Sequence, residues 1–182
     1  MSFRYEIRLS GEGGQGLVLA GKVLAEAAAI YDDKNATQSQ SYGPEARGGA
    51  SRSEVIISDE DIDYPKAVNI DLLLALTQES VNRYHKDLKA GGLLLVDEEA
   101  AKELPEGSFK VYKLPIIGIA RDKVGKALVA NIVALGIITE LAGVVSQEAV
   151  EAAILARVPK GTEELNLRAF KAGVEAAKGL RT

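Results

Sequence analysis

The sequence contains no cysteine. That excludes a disulfide, a thiolate zinc site and a cysteine-ligated iron–sulfur cluster within this chain. A single histidine, His85, excludes a His-rich metal site as well, and on its predicted helix it reads as an ordinary polar-face residue. Only five prolines and no low-complexity stretch argue against disorder. Positive charge is not in excess: the formal net charge is −4, which argues against binding nucleic acid through its phosphates and leaves only local basic patches open. No apolar signal region precedes the first predicted strand at Tyr5, so the expectation is a cytoplasmic, non-membrane protein. One long apolar run, residues 128–145, comes close to the lower margin of a membrane span, about 18 residues. Asn131, Thr139, Glu140 and two glycines interrupt it, and a glutamate inside a bilayer is costly. It reads as a buried helix, in the core or against a partner chain.

What is present fits a single α/β domain spanning residues 1–182, with 47% hydrophobic residues to fill one core. Residues 5–10 read as a strand and 15–29 as a helix covered on more than one side. Residues 35–41 are polar but compatible with a strand, and 50–57 read as a third. Short apolar runs at 71–76 and 93–96 mark strands buried on both faces, with a more exposed strand at 109–114. A helix is predicted over 78–89 and ended by Gly91-Gly92. Further helices are predicted over 124–142, over 147–157 with Ser146 as N-cap, and over 163–178. Strands alternating with helices predict a mostly parallel, doubly wound sheet with flanking helices.

Two glycine-rich turns follow predicted strands: Gly11-Glu-Gly-Gly-Gln-Gly16 and Ser41-Tyr-Gly-Pro-Glu-Ala-Arg-Gly-Gly49. Ligands bind at the carboxyl ends of strands in open α/β sheets, so the two turns are expected to converge on one crevice. Gly11, Gly13 and Gly16 satisfy the G-x-G-x-x-G spacing, which permits a tight turn and close backbone approach at a helix N-terminus. As a dinucleotide site it lacks its acidic partner, because Asp32 and Asp33 precede the second strand, whose carboxyl end carries Ser41 and Tyr42. A purely structural tight turn stays open. Gln15 either caps backbone groups or hydrogen-bonds a ligand. The second turn is more specific: Gly43-Pro44 and Gly48-Gly49 fix an irregular loop around Tyr42, Glu45 and Arg47. Glu45 and Arg47 can pair at the surface, worth well under about 1 kcal/mol. That pairing leaves the surrounding glycines and proline unexplained, and a loop of such shape more often binds something.

Together with Gln38-Ser-Gln that leads into the second turn, the two turns closely resemble those of the gamma subunits of 2-oxoacid:ferredoxin oxidoreductases. The similarity continues through Ala50-Ser-Arg-Ser-Glu-Val55, residues 71–76 and Ala130-Asn-Ile-Val-Ala-Leu-Gly136, and covers nearly the whole chain. Ala46 and Gly49 make the second turn most similar to that of 2-oxoglutarate enzymes, with pyruvate, branched-chain 2-oxoacid and indolepyruvate types as the alternatives.

The resemblance implies a subunit of a complex that decarboxylates a 2-oxoacid oxidatively, transfers the acyl group to coenzyme A and passes two electrons singly to ferredoxin. It implies alpha and beta partner subunits that hold thiamine diphosphate and Mg²⁺ between them, and iron–sulfur clusters in beta and delta-type subunits. No thiamine-diphosphate motif is visible in this chain. Alone it is therefore expected to bind no cofactor and to be inert. Its implied contribution is to close the active-site region and help hold coenzyme A. Backbone N–H groups of Gly13, Gly14 and Gly16 would meet phosphate, with Gln15 bonding nearby. Arg47 would bond phosphate or a partner carboxylate. Tyr42 would stack on adenine or pack against the alpha subunit. Asn131 would hold one of the glycine loops in place. The whole constellation can instead be a subunit interface without a ligand, since interfaces also anchor on Tyr and Arg, or belong to a free-standing nucleotide-binding module.

Overall fold

The computed structural model describes residues 3–42 and 50–180. Six strands form one sheet: β1 (Arg4–Glu12), β2 (Asn35–Tyr42), β3 (Ala50–Ser58), β4 (Ile70–Ala75), β5 (Leu88–Asp97) and β6 (Lys110–Leu114), in the order β2-β3-β1-β4-β5-β6. β1, β4, β5 and β6 pair in parallel, whereas β3 runs antiparallel to both β1 and β2. The predicted parallel sheet therefore carries one reversed strand, because β2 and β3 form a hairpin-like pair across the second turn.

Alternation of side chains decides what each face holds. Ile7 and Leu9 of β1 point to one face with Val55, Ile57, Leu72, Leu74 and Leu95, and join the larger core. Ile56, Ile70, Leu73, Leu94 and Val96 point to the other and form a smaller one. On the larger face lie α1 (Leu17–Glu26), α4 (Ala130–Ala142), α5 (Gln147–Arg157) and α6 (Glu163–Lys178). Among the described residues the second face is covered more thinly, chiefly by α2 (Gln78–Tyr84), which inserts Val81. A short α3 (Ile116–Gly118) continues as a wider turn, Ile119–Val124, before α4.

The apolar run at 128–145 is a buried core helix: α4 exposes almost nothing along Ala130–Thr139, and among the described residues no helix is long and apolar enough to cross a membrane. It begins at Ala130 rather than at residue 124, because Val124 closes the preceding turn and Gly125 breaks the chain direction. Ser146 caps α5 as expected, its hydroxyl accepting from the Ala149 N–H at 3.1 Å. Asp32 then holds Ser146, accepting from its N–H and its hydroxyl at 2.7 Å each.

One expectation fails. The helix predicted over 78–89 ends at Tyr84, with a single tight turn at His85–Asp87, and Gly91-Gly92 sit inside β5 instead of ending a helix. Leu88 is drawn into the smaller core and pairs with Ile70, while the next pairing is Leu72 with Leu93. The extra residues of β5 must bulge, and Gly91 takes φ +79° to do so.

Charge is buried on the second face. Arg8 is 4% exposed, bonded to Asp87 at 2.5 Å and to the Ala67 carbonyl at 3.0 Å, paired with Glu54 at 3.4 Å, and laid over the Tyr84 ring. Burial, with Asp71 nearby, pushes the Tyr5 phenol well above its ordinary range.

Candidate functional site

The helices that follow β1 and β4 lie on opposite faces of the sheet. The carboxyl ends of these two neighbouring strands therefore form a topological switch point, where open α/β sheets leave a crevice. The first glycine turn stands there. Its closure is internal: Gln15 N–H bonds the Glu12 carbonyl at 3.3 Å, and Gln15 Oε1 accepts from the Glu12 N–H at 2.7 Å. Of the two roles open to Gln15, backbone capping is the one occupied in this structure, from within the turn rather than from the helix. Gly13 and Gly14 form the exposed bend.

Gly16 is the N-cap of α1 with φ +74°, and no side chain caps the first turn. The leading N–H groups of α1 thus face the crevice without intrahelical acceptors. Asn131, at the start of α4, donates from Nδ2 to the Gly16 carbonyl at 3.0 Å. A Cβ on Gly16 would collide with that carboxamide. Turn and helix are matched to each other across more than a hundred residues of sequence.

Beside this turn opens a cavity of about 280 Å³. Gly14, Gly16 and Leu19 line one side; Lys126, Leu128, Val129 and Asn131 a second; and Val158, Pro159, Thr162, Leu165 and Asn166 the third. The walls are mostly aliphatic. Asn131 and Asn166 are buried, at 5% and 7% exposure, and each commits its Nδ2 to a backbone carbonyl, of Gly16 and of Thr162. Leu128 stands at the mouth with 75% exposure. Sequence reasoning found Gly14, Gly16 and Asn131 and missed the rest, because residues 126–129 and 158–166 carry no spacing signal and reach the site only through the packing of α4, α5 and α6.

The second turn starts from the same end of the sheet. Tyr42 is the last residue of β2, and its backbone pairs with Ser51, while Glu12 at the end of β1 pairs with Ala50. The second turn joins β2 to β3, so its Ala50 root stands about 5 Å from the end of β1 and its Tyr42 root roughly 10 Å away. Gly43, Pro44, Glu45, Arg47, Gly48 and Gly49 lie outside the described residues. On the other side of the switch point Ser10, Ser80 and Thr77 form a hydroxyl cluster, with Ser10 Oγ to Ser80 Oγ at 2.7 Å and Thr77 Oγ1 to Ser80 Oγ at 2.8 Å. Sequence reasoning did not single out these hydroxyls either.

No acidic residue ends β2, and the Asp32 carboxylate is occupied by Ser146, so the requirements of a dinucleotide site are not met. Around the cavity stand glycine, aliphatic, amide, hydroxyl and lysine groups. Such a set holds an apolar group and an anion. It does not offer a paired acid and base for bond making.

Comparison with known proteins identifies the family. Residues 6–176 match the family model for pyruvate ferredoxin/flavodoxin oxidoreductase. The chain is 54% identical over 182 residues to 2-oxoglutarate synthase subunit KorC of Methanocaldococcus jannaschii, covering 99% of this chain and 97% of that protein. It superimposes with TM-score 0.90 and 56% identity on the keto/oxoacid ferredoxin oxidoreductase gamma subunit of Geobacter sulfurreducens, covering 97% of this chain and 98% of that one. The same fold, at TM-score 0.85 and 22% identity, occupies 31% of a chain of the 2-oxoglutarate:ferredoxin oxidoreductase of Magnetococcus marinus and takes in 97% of this chain. By its family match, its full-length relatives and its fold, this chain belongs to the pyruvate ferredoxin/flavodoxin oxidoreductase family, of which it is a gamma-type member.

Proposed function

We propose that this chain is the gamma subunit of a 2-oxoglutarate:ferredoxin oxidoreductase and that it helps hold coenzyme A at the switch-point crevice. The complex would convert 2-oxoglutarate and coenzyme A to succinyl-CoA and CO₂, with two electrons leaving singly for two ferredoxins. Thiamine diphosphate, Mg²⁺ and the iron–sulfur clusters belong, in this reading, to alpha, beta and delta-type partners. A chain without cysteine has no thiolate to give a cluster.

The carrying observation is the cavity beside the first glycine turn, with unpaired N–H groups of α1 at its edge. Supporting the substrate, the relative from Methanocaldococcus jannaschii is a 2-oxoglutarate synthase subunit, and the Magnetococcus marinus enzyme was solved with 2-oxoglutarate, coenzyme A and succinyl-CoA. The N–H groups of Gly13, Gly14 and Gly16 receive phosphate oxygens, and Arg47 adds a charge-assisted bond. Tyr42 lies at the root of the second turn, where it stacks on the ligand or on a partner.

A second reading, an interface with no ligand, is favoured by the exposed Leu128 at the cavity mouth. Affinity purification of the tagged chain with its partners, followed by 2-oxoacid-dependent reduction of ferredoxin, tests the assignment. Co-purification with a thiamine-diphosphate pair and an iron–sulfur protein, with 2-oxoglutarate preferred, is the expected result. Recovery as a lone, nucleotide-loaded monomer overturns it.

A further inference from the structure

The two edges of the sheet are built differently. β6 is a five-residue strand bearing Lys110 and Lys113, and short, lysine-bearing edges resist pairing with another chain. β2, at the opposite edge, has neither protection. Its eight residues, Asn-Ala-Thr-Gln-Ser-Gln-Ser-Tyr, include no charge and no proline, and it pairs with β3 from Asn35 to Tyr42 without a bulge. Among the described residues no strand pairs with its outer edge, and Ser39, Gln40 and Ser41 are exposed. Beside it packs the turn Ala27–Tyr31 that continues α1, with two exposed apolar side chains, Ile30 at 66% and Tyr31 at 46%. The strand is also its own complement. Antiparallel pairing about a two-fold axis at Ser39 sets Gln38 opposite Gln40 and Thr37 opposite Ser41. Gln38 and Gln40 share one face, with Nε2 of the first 2.9 Å from Oε1 of the second. Amide then meets amide on that face and hydroxyl meets hydroxyl on the other, with no like charges opposed.

We propose that β2 pairs with β2 of a second copy of this chain, antiparallel across Ser39, joining two six-stranded sheets into one continuous sheet. The helices on the larger face then meet their counterparts and cover Ile30 and Tyr31. The proposal goes beyond the functional reading above and does not depend on it. Where both hold, each complex carries its gamma chains in pairs. Outward amides of β2, open in the single chain, exchange more slowly in the dimer.

Cysteine cross-linking of the full chain tests this, because the chain has no cysteine of its own. At Ser39 the two copies face each other at about 4.5–5.5 Å between Cα atoms, within reach of a disulfide. At Gln40 they are diagonal, at about 7–8 Å, and out of reach. Under mild oxidation Ser39→Cys is expected to give a covalent dimer of this chain, and Gln40→Cys far less. By sedimentation the wild-type chain should be a dimer. Ser39→Lys, which sets two like charges at the axis, should raise its dissociation constant about tenfold at low salt. The proposal is overturned if Ser39→Cys forms no covalent dimer, if Gln40→Cys cross-links equally, or if the wild-type chain sediments as a monomer. A Ser39→Lys dissociation constant within about twofold of wild type also overturns it. So does a Ser39→Cys disulfide to a different subunit in the assembled complex, since the edge would then belong to that subunit. A chain that cross-links to itself but never assembles with a thiamine-diphosphate pair defeats the functional assignment and upholds the strand pairing.

Discussion

Gly136 and Gly173 face one another where α4 crosses α6, and neither position has room for a methyl group. A Cβ on Gly136 would strike the Phe170 carbonyl and stand 3.0 Å from the Gly173 Cα, and one on Gly173 would strike the Val133 carbonyl. These obstacles are backbone, which cannot rotate away. Overpacking a core costs roughly 1–3 kcal/mol, and Gly136→Ala or Gly173→Ala should reach the upper end of that range. Urea unfolding measures it. A loss under about 1 kcal/mol in both variants would mean that the helices part easily.

The contact between Gly16 and Asn131 calls for a double-mutant cycle. Gly16→Ala forces a left-handed backbone onto alanine, at about 1–2 kcal/mol, and adds the clash with Asn131. Asn131→Ala removes the bond to the Gly16 carbonyl, worth about 1 kcal/mol. The double variant lacks the clash. It should be less destabilised than the sum of the singles by at least about 1 kcal/mol. Simple additivity would show that the turn is held by something other than Asn131.

Asp32 is a structural clamp, not a ribose ligand. Asp32→Ala leaves the Ser146 N–H and hydroxyl without their acceptor and loosens the start of α5. The expected cost is about 1–2 kcal/mol in thermal or urea unfolding. Asp32→Asn, which keeps one acceptor oxygen, should cost less.

Tyr5 gives a pH signature. Its phenol ionises late in the folded protein because burial, helped by Asp71, penalises the anion. The folded state therefore keeps a proton that the unfolded chain releases near pH 10. The stability this lends is complete below about pH 10 and declines as pH rises further. Tyr5→Phe should remove a late component from a spectrophotometric titration of the tyrosines.

Sequence and structure agree most closely where a signal is local. The spacing of Gly11, Gly13 and Gly16 marked a tight turn between strand and helix, and the runs at 71–76 and 93–96 marked strands buried on both faces. Asn131 stood out because an amide inside an apolar helix needs a partner, and its partner is the glycine turn. Gly91-Gly92 misled, because a pair of glycines after a helical pattern looks the same whether it ends a helix or lets a strand bulge. The decision came from Ile70, on a different strand, which recruits Leu88. The cavity was equally illegible: Leu128, Val158 and Asn166 become neighbours of Gly16 only when three helices pack on one face of the sheet.

The strand order also sets a gradient of amide exchange. β1 is hydrogen-bonded on both sides, to β3 and to β4, whereas among the described residues β2 has a strand partner on one side only. Interior amides of β1 are expected to exchange through global opening, and outward-facing amides of β2 through local fraying. The first glycine turn thus grows out of a strand in the interior of the sheet, and the strand leading into the second turn lies at its edge. Two segments rooted about 10 Å apart would answer to very different opening free energies, so a bound molecule touching both would slow exchange along β2 far more than along β1.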